Sequence, residues 1–334
     1  MHAESSHRMS PLWYNYKSSS AVLLKGMKKK YAIGIDLGGT HLRIALVSGE
    51  GEIVQKVKMP SSENIVESLQ GSIPPLLTEG VMGIGMGVAG LIDRERGIVS
   101  ESPNLSRIEG LDIAGALRNT FSLPVVLEND ANVAAVGEKW MGEGKTFKDF
   151  VLLTLGTGIG GGIIHNHGLM DVSAEIGHMS IMANGKNCSC GNYGCLEAYA
   201  SARAILSHAT TSLEDGAESA LRECCKGNIY KLTPEDIYKA ALDGDTLSRE
   251  ILREAGRYLG VGLSNLIHLF SPDAIILAGG LIGAWNIFIQ EAIKEASRRT
   301  FKQLFEKVRI LPSSLGDDAG ILGASHLVFT CQRT

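Results

Sequence analysis

Tyr31-Ala-Ile-Gly-Ile-Asp36-Leu-Gly-Gly-Thr40 reads as a buried strand running straight into a glycine turn, and Leu42 to Val47 continues it as a second strand. The theme returns at Phe150-Val-Leu-Leu-Thr-Leu155, which enters Gly156-Thr-Gly-Ile-Gly-Gly-Gly162 and leaves through Ile163-Ile164. Strand, Gly-Thr turn, strand therefore occurs twice, which predicts duplicated halves of one topology. A glycine turn of this kind is either a plain tight turn or an anion cradle, in which adjacent N–H groups and a Thr hydroxyl face a phosphate.

Working outward, a third strand follows Ser48-Gly-Glu-Gly51, and further strands are expected within Val81 to Gly90, where an apolar run ends in glycine, and at Ile98 to Ser100 and Pro124 to Leu127. Residues 247 to 270 carry Ile251, Leu252, Ala255, Leu259, Leu263, Leu266 and Ile267 at helical spacing, stopping at Ser271-Pro272. A strand at Ala274 to Leu277 ends in Gly279-Gly280, and a last helix runs from Ala319 to Phe329 with a small face, Gly320, Gly323 and Ala324, that something can approach closely. Strands alternating with helices make the chain α/β.

The 334 residues are 44% hydrophobic and 20% charged, enough for two domains with a sizeable core. A net charge of -4 gives no general attraction to nucleic acid or to an anionic membrane, so neither is an expected partner. No apolar run reaches membrane-spanning length. Three of the six cysteines cluster and Cys224-Cys225 are adjacent, a poor disulfide geometry, so a reducing, cytoplasmic compartment is expected. Residues 1 to 26 read as a disordered tail or a misassigned start, too short for a DNA-binding domain.

Two decoys fall away. Gly144-Lys145-Thr146 ends like a P-loop, but Lys139 stands where the leading glycine is required. Gly156-x-Gly158-x-x-Gly161 fits the dinucleotide fingerprint by letter, yet an Asn166-His-Gly168 turn follows instead of a helix.

Glu175-Ile-Gly-His178 followed by Cys188-Ser-Cys190-Gly-Asn-Tyr-Gly-Cys195-Leu-Glu197 offers a Cys₃His set, one of the standard closed zinc shells, on a stretch with little else to order it; the alternative is ordinary free thiols. Gly191 and Gly194 permit the positive-φ turns such a loop needs. Glu128-Asn129-Asp130 stands between a strand and a helix, where capping alone would explain it.

The Glu-x-Gly-His…Cys-x-Cys-Gly-x-x-Gly-Cys-x-Glu pattern resembles the ROK family (repressors, open reading frames, kinases), and Asp36-x-Gly-x-Thr40 resembles the first phosphate motif of the actin, Hsp70 and sugar-kinase superfamily. The resemblance implies a two-domain ribonuclease H-like (actin/hexokinase-like ATPase) fold. The small domain would be residues 27–130 plus 317–334, the large domain 131–316, and the active site the cleft between them. It implies structural zinc on His178, Cys188, Cys190 and Cys195, and sugar contacts from Asn104, Asn129, Asp130, Glu175, His178 and Glu197. Asp130 would be the general base. ATP with Mg²⁺ would be met by Asp36, Gly38, Gly39, Thr40, Thr157, Gly158, Gly279 and Gly280, with the Asp318 to Ala324 helix on the adenosine side. The implied reaction is phosphorylation of the 6-hydroxyl of a hexose, glucose first, in a homodimer or homotetramer. N-acetylglucosamine, N-acetylmannosamine, mannose and fructose are alternative substrates, and a sugar-responsive repressor or sensor is the rival class. Gly110-Leu111 stands where family kinases often have a Trp, a departure that bears on specificity.

Overall fold

A computed structural model describes residues 29–331 except 95, 103, 104 and 226. The tail at 1 to 26 and Asn104 lie outside the described residues. Two five-stranded sheets organise the chain. The first holds strands Tyr31–Leu37 (β1), His41–Ser48 (β2), Ile53–Pro60 (β3), Val81–Val88 (β4) and, after a small hairpin of Leu91–Asp93 (β5) and Ile98–Glu101 (β6), Val125–Asn129 (β7). The second holds Phe150–Leu155 (β8), Ile159–His165 (β9), Gly168–Leu169 (β10), Ala274–Ala278 (β11) and Arg309–Pro312 (β12).

The orders are β3-β2-β1-β4-β7 and β10-β9-β8-β11-β12. In each, an antiparallel meander of three strands is extended by two parallel ones. The twice-repeated strand and turn was thus the visible trace of one topology used twice. Each sheet carries its own apolar cluster, built on Ile33, Ile35, Leu42, Ile84 and Leu117 in one and on Val151, Leu153, Leu259, Ile275 and Phe288 in the other. The long helix Thr246–Phe270 starts where Asp245 caps it by accepting from Ser248 N at 2.8 Å. It ends at Ser271, in the left-handed region just before Pro272. Among the described residues no helix is long and apolar enough to cross a membrane.

The glycine run at 156–162 departs from expectation: only Gly156 to Gly158 form the turn, while Gly160, Gly161 and Gly162 lie inside β9. The reason is the helix Asp130–Met141, which lies so close to β9 that a Cβ on Gly162 would strike the Ala131 carbonyl and the Ala135 side chain. Likewise β7 extends two residues beyond Leu127. The small face of the C-terminal helix Ala319–Cys331 is filled by protein: Gly323 meets the Val133 carbonyl, Gly320 meets Asp36, and the Ala324 carbonyl occupies the space a Cβ on Gly85 would need. Helix Asp130–Met141 is therefore wedged between the C-terminal helix and the second sheet, backbone against backbone.

Gly323→Ala separates two opposing effects. Helix propensity favours alanine by about 1 kcal/mol, whereas the Val133 carbonyl leaves no room for a methyl and overpacking costs about 1–3 kcal/mol or more. The variant is expected to unfold at lower denaturant, read by circular dichroism; a midpoint at or above wild type would refute the close contact.

Candidate active site

Parallel strands deliver the acids. Asp36 on β1 is level with Gly87 on β4, which is level with Glu128 on β7, so Asp36 and the Asn129-Asp130 step emerge at the same carboxyl edge of one sheet. Asn129 caps the helix that follows, its side-chain oxygen accepting from Ala131 N at 2.9 Å and Asn132 N at 3.1 Å, while its Nδ2 donates to the Gly90 carbonyl. Capping is thus real at Asn129, and it leaves Asp130 as the first helical residue. Asp130 is part-buried and accepts from its neighbour Ala131 N at 2.9 Å. Enclosure by protein pushes its carboxyl up to about 7, with the charges of Asp36 and Glu175 adding to the effect.

Asp36 is itself raised by burial, against the pull of Arg43, which lies opposite it on β2 at 3.0 Å and also holds Asp317 at 2.8 Å. Lys56 adds a 2.6 Å pair with Asp318, so the turn at Gly316–Asp318 is riveted to the first sheet. Gly38, Gly39 and Thr40 form the β1–β2 turn, with Gly39 and Thr40 exposed at its tip. Gly38 N donates to the His41 carbonyl and the Ser61 hydroxyl to the Gly38 carbonyl. In the second sheet Thr154 is level with Ala278, so Thr157 and Gly158 of the β8–β9 turn sit beside Gly279 and Gly280. Gly279 needs its positive φ of 91° and its closeness to the Leu155 backbone, whereas Gly156 and Gly280 border open space. Packing does not explain those two glycines.

The Cys/His loop closes as the spacing predicts. The ligand atoms of His178, Cys188, Cys190 and Cys195 lie within 4.8 Å of one another. Cys188 Sγ is 3.5 Å from His178 Nδ1, and Cys190 Sγ is 3.8 Å from Cys195 Sγ. A zinc tetrahedron with bonds of about 2.3 Å to sulfur and 2.0–2.1 Å to nitrogen has S···S and S···N edges of about 3.8 and 3.5 Å. The distances are those of a zinc shell, and too long for a disulfide. Gly191 and Gly194 take φ of 85° and 72°, as the turn requires. Burial and the neighbouring Cys188 and Cys190 push the Cys195 thiol up to about 12, a tension that a divalent cation would relieve. With Nδ1 turned to Cys188 Sγ, His178 Nε2 faces Glu175 Oε2 at 4.0 Å.

Glu175 is raised by partial burial, eased by His178 and pushed further up by the charges of Glu197 and Glu101. The structure thus gathers Asp36, Asp130, Glu175, His178 and Glu197 into one electrostatically connected group. One Glu197 oxygen already accepts from Ile159 N at 2.7 Å, against Gly158, so this acid touches the second glycine turn. Sequence reasoning missed Arg43, Glu101 and the bidentate pair of Arg94 with Glu128. The alternation of β2 could have pointed Arg43 toward Asp36; nothing local flags Arg94. Lys139, the P-loop decoy, spends its ammonium on the Phe147 and Lys145 carbonyls and on His167, a structural role.

The model of the ROK family matches residues 32–330. The chain is 34% identical over 322 residues to a glucokinase of Thermotoga maritima, covering 90% of this chain and 98% of that one. It is 35% identical over 321 residues to the xylose repressor of Bacillus subtilis, covering 92% and 79%. Among solved structures, a ROK family glucokinase from Streptomyces griseus in complex with glucose and AMPPNP superposes with a TM-score of 0.78 at 34% identity, covering 89% of this chain and 98% of that one.

Cys190→Ser should strip the loop of its metal. Elemental analysis is expected to find about one zinc per wild-type chain and none in the variant; a metal-free wild type with an equally protease-resistant loop would return the cysteines to plain thiols.

Proposed function

The chain belongs to the ROK family, and from that premise we propose that it is an ATP-dependent sugar kinase that phosphorylates the 6-hydroxyl of glucose. The observation that carries the reading is Asp130. Its carboxylate is held near a pKa of about 7, between Asp36 with its glycine turn and the acids of the Cys/His loop. A general base works best when its pKa is close to the operating pH. Glucokinase relatives, and a neighbour that binds glucose with a nucleotide analogue, support the substrate class.

On this reading Asn129, Glu175, His178 and Glu197, with Asn104, hold the sugar hydroxyls. Asp130 takes the proton of the 6-hydroxyl as its oxygen attacks the γ-phosphorus, and the ADP oxygen leaves in line. Gly38, Gly39, Thr40, Thr157 and Gly158 offer N–H and hydroxyl donors to the phosphates, while Gly279 and Gly280 border the rest of the nucleotide. Asp36 is the side chain that would hold Mg²⁺, which when bound supplies neutralisation of phosphate charge. The fit is sound, because burial makes Asp36 and Asp130 each resist ionisation, Asp130 further so beside Asp36, and a cation reverses that. Closure of residues 27–130 with 317–334 upon 131–316 would exclude water. The repressor relatives motivate a second reading, a sugar-responsive regulator on the same sugar site.

A coupled assay of ADP release over a hexose panel tests the proposal. Glucose is expected to give the highest kcat/KM; no sugar-dependent ADP release with any hexose would leave the regulator. Asp130→Ala should lower kcat by roughly 10²- to 10⁴-fold while changing sugar affinity much less. Because a base must be ionised to act, wild-type kcat/KM should fall about tenfold per pH unit below about 7 and level off above it. A flat profile from pH 5.5 to 8 would contradict the assignment of Asp130.

A further inference from the structure

Arg94, in the turn between β5 and β6, joins three segments that sequence order keeps apart. Its Nε and Nη2 meet Glu128 Oε2 and Oε1 at 2.9 and 3.0 Å, a bidentate pair, and its Nη1 meets Asp171. Glu128 also receives Asn129 N at 2.8 Å and Asn132 Nδ2 at 3.0 Å, so the arginine is bonded to the carboxylate that fixes the start of the Asp130 helix. Asp171 stands four residues before Glu175, on a loop whose backbone bonds are local, Val172 N to Met170 and Ile176 N to Ala174. In that loop Ala174 holds a left-handed φ of 48°, a conformation that persists only where the surroundings over-determine it.

We propose that Arg94 is a positioning residue that braces the sugar site, anchored on Glu128 and holding the Glu175 loop through Asp171. The two ends differ in strength. The Glu128 side chain is 8% exposed, so its arm is a desolvated, two-bond contact; Asp171 is 72% exposed, so its arm is water-screened and can release. Arg94 is therefore a fixed post on the first sheet, and the loop carrying Glu175 is what it captures. Both acids are needed for one cation to register the 128–130 and 171–178 segments against one another. This inference rests on the sugar-kinase reading for its kinetic form only.

Two variants test it, Arg94→Ala and the milder Asp171→Asn at an exposed side chain. Arg94→Ala is expected to raise the KM for glucose roughly tenfold or more with the KM for ATP within about twofold. Asp171→Asn should raise the glucose KM about threefold, and add nothing when combined with Arg94→Ala, because both remove the same contact. Arg94→Lys, which keeps the charge but not the fork, should recover the glucose KM only in part. In the sugar-free protein, amide hydrogen exchange should quicken in 171–178 of Arg94→Ala. An unchanged glucose KM, or equal rises for glucose and ATP, would overturn the brace. Should the wild type phosphorylate no hexose, the kinase reading fails while the exchange measurement still decides: unaltered protection in 171–178 overturns the brace, and quickened exchange there upholds it.

Discussion

The structure depends on one contact, the backbone-to-backbone approach of helix Asp130–Met141 and the C-terminal helix Ala319–Cys331. Gly137 faces the Ala319 carbonyl, Gly323 faces the Val133 carbonyl, and Gly34 and Gly85 let the same C-terminal helix down onto β1 and β4. Glycine weakens a helix by up to about 1 kcal/mol per position, a cost offset here by dispersion across a contact no larger residue could make. The return is positional. Asp36 packs against Gly320, and Asp130 begins the neighbouring helix, so the helix contact fixes how far apart those two carboxylates stand. A kinase of this kind would need that spacing held to a fraction of an ångström, and a backbone contact is stiffer than any pair of flexible side chains.

What the contact assembles is electrostatically unfavourable by itself. Asp36, Asp130, Glu175 and Glu197 gather in one electrostatically connected group, and burial raises the first three above ordinary carboxylate values, with Asp36 and Glu175 adding to the rise of Asp130 and Glu197 to that of Glu175. Arg43 offsets part of this at Asp36 and His178 at Glu175. The remainder is stored tension, and such tension is characteristic of sites whose ligands supply the missing donors and cations. Sugar hydroxyls donate to carboxylates, and a metal-bound nucleotide brings positive charge, so the cleft is complementary to both together. Glu197 makes the point at one atom: its oxygen on Ile159 N ties the acid beside the Cys/His loop to the turn that would cradle phosphate.

Much of this was legible in the sequence, for physical reasons. Period and punctuation marked β1, β8, the helix Thr246–Phe270 and the C-terminal helix, because each is decided by local apolar spacing and by a glycine or proline stop. The Cys/His loop was legible because metal ligands need a fixed spacing. The glycines of β9 were misread as turn because their cause, a helix lying across them, is set by residues some thirty positions earlier. Arg94 was invisible for the same reason: a bond to Glu128 on one side and Asp171 on the other leaves no periodic signal. Asn129-Asp130 was ambiguous between cap and chemistry; the structure shows the cap at Asn129 and leaves the Asp130 side chain part-exposed.

Kinase and repressor relatives both match about nine-tenths of this chain, so overall resemblance cannot separate the two readings. A sensor needs to bind a sugar and change shape. It has no use for a carboxylate whose proton affinity is lifted to about 7, since an ionised or a protonated acid far from neutrality would bind hydroxyls with less pH dependence. Nor does it need glycines at 156 and 280 that border open space, where alanine would cost nothing in packing and would remove unfolded-state freedom. Both features carry a stability cost that sugar recognition alone does not repay. Phosphoryl transfer uses each of them, the one to take a proton and the other to admit a nucleotide, and this asymmetry is the physical ground for preferring the enzyme.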